Sequence, residues 1–178
     1  MRYLVLIVGL VLVVSVEARA DVDEGIEDVY VAPTAFLAAT FDDNIPDPEK
    51  LWITKRRGEE IKTILGHKLG ALRVAYWRRG DRTAWILEEI GKVKPITTGL
   101  VVESGALAGI AVLVYRESRG WEVRHDFFTN QFMGARLTER GKLDRSIDGI
   151  SGATLSVGAL VRLARLALYL DDAVAGRP

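Results

Sequence analysis

The chain has 178 residues, nearly half apolar and about a quarter charged, which suits one folded domain and excludes a disordered chain. Acidic and basic side chains balance at 24 each, so no basic excess points to nucleic acid. There is no cysteine, which excludes disulfides, thiolate iron–sulfur clusters, CxxCH haem attachment and a lipoprotein anchor. Any redox chemistry must then sit on a non-protein group.

The first stretch, "MRYLVLIVGLVLVVSVEARA", has a basic start at Arg2, an apolar run over residues 3–16 and the small-x-small pattern Ala18-Arg19-Ala20. The run is shorter than the ~20 residues that cross a bilayer comfortably. Residues 1–20 read as a cleaved signal peptide, with an uncleaved membrane anchor as the alternative. Export follows as an expectation, to the periplasm or the outer face of the cytoplasmic membrane. Residues 21–69 are expected to form a helical lead-in. Thr34 is placed to cap a short helix carrying Phe36, Leu37 and Phe41. Asp47 followed by Pro48 predicts a second helix start, interrupted at Gly58 and stopped at Gly66 or Gly70.

Residues 70–178 are expected to form the domain core. Two hairpins are predicted, one turning at Arg79-Gly80-Asp81 and one at Glu103-Ser104-Gly105. The arm over residues 107–115 is almost wholly apolar and reads as a central strand covered on both faces. Residues 116–133 are irregular and aromatic. From Leu155 onward, Ala159, Leu163, Leu166 and Leu170 line one face of a helix that Asp171, Asp172 and Gly176 bring to a close. The fold class is α+β: a single domain with an antiparallel sheet built from hairpins and packed with helices.

The segment "DGISGATL" runs directly into that last helix. The first amides of a helix lack intrahelical partners and carry partial positive charge, so this end suits a phosphate. Gly149 and Gly152 permit close backbone approach, and Ala153 adds little bulk. The Thr154 hydroxyl at the helix entrance is either a point of esterification or, like Ser151, an ordinary helix cap.

Residues 148–154, "DGISGAT", resemble the flavinylation motif of the FMN-binding domain family, Asp-Gly-x-(Ser/Thr)-Gly-Ala-(Thr/Ser). That family includes components of the sodium-translocating NADH:quinone reductase and of the Rnf complex. The resemblance implies FMN joined through a phosphodiester to Thr154. It also implies a separate envelope flavin transferase that uses FAD as donor and needs magnesium. Asp148, Gly149, Ser151, Gly152, Ala153 and Leu155 would then flank the attachment point. A looser likeness covers residues 90–160, with Glu117, Gly120 and Phe132 at matching places and Ser118 replacing the commoner threonine. Trp121, Phe128 and Phe132 are candidates for the slot around the flavin ring. Thr97, Thr98, Glu117 and Ser118 are candidates for its polar edge. For each aromatic residue, ordinary core packing is the competing reading.

His67 and His125 have no acid at metal-ligand spacing and read as surface or packing residues. The glycines form no GxGxxG in a strand–turn–helix setting, which removes a Rossmann reading. The basic run over residues 55–57 reads as a solvated face, with docking to an acidic cytochrome as the sharper alternative. Ser151 has no histidine placed to activate it. Together these readings describe an exported electron carrier. It would pass electrons between a membrane or quinone-linked donor and a haem protein or reductase. The alternatives are a non-redox accessory or sensing protein and a reductase of a small acceptor.

Overall fold

The computed structural model describes residues 28–176; the expected signal peptide lies outside them. Among the described residues, six strands form one antiparallel sheet in the order β1-β6-β5-β4-β3-β2. They are β1 (Asp28–Val29), β2 (Glu49–Trp52), β3 (Arg73–Arg79), β4 (Arg82–Ile90), β5 (Pro95–Glu103) and β6 (Ala106–Tyr115). Four helices pack around it: α1 (Pro33–Thr40), α2 (Lys55–Leu65), the single turn α3 (Asp126–Thr129) and the long α4 (Thr154–Ala175). No helix among the described residues is long and apolar enough to cross a membrane. The α+β class with a hairpin-built antiparallel sheet is as expected.

Both predicted hairpins form. Gly80 takes φ 61° between β3 and β4, and Ser104 and Gly105 take φ 51° and 72° between β5 and β6. Paired positive φ values are what a two-residue turn needs to match strand twist. The strand buried on both faces is β5, not β6. Its seven inner residues are all buried, whereas β6 alternates until Val112. β5 owes this to its place between two long neighbours, with α4 over one face and α1 over the other.

The two faces hold separate cores. Trp85, Leu100, Val112, Leu160 and Leu163 belong to the larger one beneath α4. Phe36, Leu37 and Phe41 from α1 cover the other face with Val101, Leu113 and Val114. The Phe36 ring lies directly over Gly99, where an added Cβ would come within 2.7 Å of it. A register shift in β6 leaves Leu113 as an extra residue, so Leu113 and Val114 both face α1. The bulge turns Tyr115 back toward the α4 side, where it is fully buried.

The lead-in differs from expectation in four ways. It is not purely helical, because it supplies both edge strands, β1 and β2. Thr34 does not cap α1; Ala32 is the cap residue, with Pro33 at the first helical position. Asp47-Pro48 does not start a helix. Residues 49–52 pair instead with residues 73–76, an override of local capping preference by sheet pairing. α2 begins later, where the Thr54 hydroxyl accepts the Arg57 amide at 3.3 Å. It continues unbroken through Gly58 and ends at Gly66 with φ 86°. A Cβ at Gly58 would meet only the Ile53 methyl at 3.9 Å. Gly58→Ala is therefore expected to stabilise the fold by about 0.5–1 kcal/mol in urea unfolding.

Asp171 sits inside α4 rather than at its very end. It is buried and accepts the Thr83 hydroxyl at 2.6 Å, and Thr83 in turn accepts the Trp85 indole at 2.9 Å. Gly176, with φ 68°, closes the helix as expected. The face formed by Ala159, Leu163, Leu166 and Leu170 is buried as read.

Candidate functional site

At the start of α4, Ala153 is the cap residue and no side chain caps the helix. The capping reading of Ser151 and Thr154 therefore fails. Thr154 is the first helical residue and is exposed, as are Asp148, Gly149, Ser151, Gly152 and Leu155, while Ala153 is buried beneath them. The Ala153 amide closes a turn onto the Ile150 carbonyl at 3.0 Å, and the first helical bond runs from Val157 to Ala153 at 2.9 Å. The amides of Thr154, Leu155 and Ser156 thus have no intrahelical partner and concentrate the positive end of the helix dipole around the Thr154 hydroxyl. Gly152 takes φ 82°, a conformation that favours glycine.

Three contacts hold this turn in place. The Gln131 side-chain oxygen accepts the Asp148 amide at 2.7 Å. Arg145 donates to the carbonyls of Met133 at 2.7 Å and Gly134 at 3.1 Å. On the other side, the Tyr115 hydroxyl donates to the Arg119 carbonyl at 2.5 Å and lies 2.8 Å from the Ser156 hydroxyl. Burial raises the Tyr115 pKa above its usual value, which keeps that hydroxyl protonated. Gly120 threads between these groups with φ 87°, so the loop following β6 lies directly against Ala153 and Ser156. Sequence reading missed Gln131, Tyr115 and Ser156, because their partners are distant in the chain and only the fold brings them together. Gln131→Leu should loosen the turn and Gln131→Glu should preserve the acceptor. Faster amide exchange of residues 148–152 in the leucine variant alone checks this.

The candidate ring contacts divide sharply. Phe128 and Phe132 are fully buried and pack edge to face at 5.5 Å, so they are core residues and cannot line an open slot. Trp121 is 42% exposed and next in the chain to Gly120. Its ring meets His125 edge-on at 5.4 Å, and His125 stacks on the exposed Phe127 at 6.1 Å. Arg124 lies between the Trp121 and Tyr30 rings, at 5.1 and 4.1 Å. Phe127 was not singled out in the sequence, because nothing there tells which of adjacent phenylalanines faces out.

Of the polar-edge candidates, only Ser118 is exposed and without a structural task. Thr97 donates to Glu88 at 2.6 Å and accepts from Arg116 at 2.9 Å. Thr98 is fully buried within the sheet, its hydroxyl unpartnered. One Glu117 oxygen accepts three successive amides, from Lys92, Val93 and Lys94, at 2.6, 2.6 and 2.9 Å. These bonds outweigh partial burial and lower the Glu117 pKa. Glu117 is thus a clamp on the β4–β5 turn.

A cleft of about 750 Å³ lies toward the other end of α4, lined by Arg56, Glu60, Thr138, Arg165 and Tyr169 among others, and contains no residue of the 148–154 segment.

The model of the FMN-binding domain family matches residues 91–169. This stretch is similar to the FMN-binding domain family. It begins at the Glu117-clamped turn and ends near the close of α4, so it contains the 148–154 segment and the contacts described for it. A search of curated proteins finds no match. The match supports a flavin-binding protein with FMN as its cofactor. The structure fits that group: an uncapped, exposed helix start with free amides suits its phosphate, and the exposed Trp121 beside it offers an aromatic face to its ring.

Proposed function

We propose that this is an exported flavoprotein in which FMN is joined by a phosphodiester to the Thr154 hydroxyl. It carries electrons in the cell envelope from a membrane or quinone-linked donor to a haem protein or reductase. The observation that carries this reading is the exposed Thr154 hydroxyl at the first position of α4, free of any capping task. Thr154 would supply the ester oxygen. The amides of Thr154, Leu155 and Ser156 would face the single negative charge of the diester. Gly152 leaves the approach open, and Trp121, Phe127 and Ser118 are exposed candidates for the ring and its polar edge. FMN supplies one- and two-electron exchange, which suits mediation between unlike partners.

An envelope flavin transferase with FAD as donor and magnesium would make the bond. The open position of the helix start suits both that enzyme and a protein redox partner, and favours a carrier over a reductase of a small acceptor. The test is the intact mass of the exported protein made with and without the transferase. Loss of residues 1–20 and a gain of one FMN less water, only when the transferase is present, are expected. An unmodified mass with the transferase active overturns the attachment. A Thr154 variant that keeps the physiological function would favour the non-redox accessory reading.

A further inference from the structure

His67 lies just beyond α2, and its environment shows what sequence spacing could not. Nδ1 lies 3.0 Å from the Lys68 carbonyl oxygen. Nε2 lies 3.1 and 3.0 Å from the two oxygens of Glu89, a residue 22 positions away on β4. Both ring nitrogens therefore face acceptors only. A neutral imidazole has one N–H, so either tautomer would aim a lone pair at an oxygen. Only the doubly protonated ring satisfies both contacts.

The carboxylate it meets is otherwise committed. Glu89 is 4% exposed, accepts Arg162 from α4 at 3.2 Å and accepts the Ile90 amide at 3.0 Å. Arg162 also donates to the Ile90 carbonyl at 3.1 Å. The charged groups around His67 are thus Glu89 from β4, Arg162 from α4 and Lys68 on its own loop. His67 and Glu89 precede the matched stretch of residues 91–169, whereas Arg162 lies inside it.

We infer that His67 is a pH-dependent latch: its imidazolium pins the segment between α2 and β3 to β4 and α4, and loss of one ring proton releases that segment. The proton leaves to water through the exposed half of the side chain, which is 52% accessible. Glu89 then keeps Arg162 and the Ile90 amide as partners, so the helix pairing survives while the His67 attachment is lost. The latch joins elements before the FMN-binding domain to the helix that carries Thr154, independently of how the flavin is held.

The direction of the titration agrees. The bond to the Lys68 carbonyl raises the His67 pKa most; Glu89 adds to this, against opposition from burial and from Arg162. A raised folded-state pKa gives stability that is fully present below the unfolded value of about 6.5 and lost as pH rises through the folded value.

The experiment is a pH titration of the full chain followed by imidazole ¹⁵N resonances, with His67→Gln assigning the signal. The His67 midpoint is expected above about 6.5, with both nitrogens protonated below it. Amide exchange of residues 66–72, compared with His67→Gln at each pH, should show a protection ratio above one at low pH that falls to unity past the midpoint. A midpoint at or below about 6.5, or a protection ratio that does not change with pH, overturns the latch. The wild-type titration stands alone if the variant does not fold.

Discussion

Thr154→Val is expected to abolish acid-stable flavin completely, while Thr154→Ser keeps it. Valine preserves the shape of the side chain but lacks the oxygen that the phosphodiester requires. Serine restores that oxygen at the same Cβ. Thr154 is exposed and caps nothing, so neither change should move stability by more than about 0.5 kcal/mol. In-gel fluorescence after denaturation, read beside a thermal melt, separates loss of attachment from loss of fold. Covalent flavin on the valine variant would place the bond on another residue.

Gly120→Ala is expected to have the largest effect on stability near the site. The glycine has φ 87°, which disfavours any L side chain, and a Cβ would lie 2.8 Å from the Ser156 hydroxyl and 2.9 Å from that of Tyr115. Backbone strain and overpacking together should cost about 2–4 kcal/mol. In a domain of this size the melting temperature should fall by roughly 2–4 °C for each kcal/mol. The strain lands on the pair that seats the first turn of α4, so slower flavin attachment should accompany it. A wild-type melting temperature in the variant would show that the loop moves aside at little cost.

Much of the fold was legible in local pattern. Gly80 and Gly105 mark their turns because few other residues accept the required φ, and the apolar spacing of Ala159, Leu163, Leu166 and Leu170 marks α4. The 148–154 segment was legible as a string of residues. Its setting was not, because Gln131, Tyr115 and Ser156 act through contacts that only tertiary structure creates. Asp47-Pro48 misled because a sound helix-start signal lost to pairing with β3. Phe128 and Phe132 misled because an aromatic residue in an irregular segment looks the same whether it faces core or solvent. The bulge at Leu113 is invisible in sequence, yet it decides that Tyr115 reaches the α4 side of the sheet.

The Phe36 ring resting on Gly99 also limits how this protein can change. With 2.7 Å between the ring and a would-be Cβ, position 99 cannot gain even a methyl group while position 36 stays aromatic. The two sites, 63 positions apart in the numbering and one on either side of the lead-in's second helix, form a single inherited unit. Related chains should therefore show them varying as a pair, with any side chain at the strand position matched by a smaller one in α1.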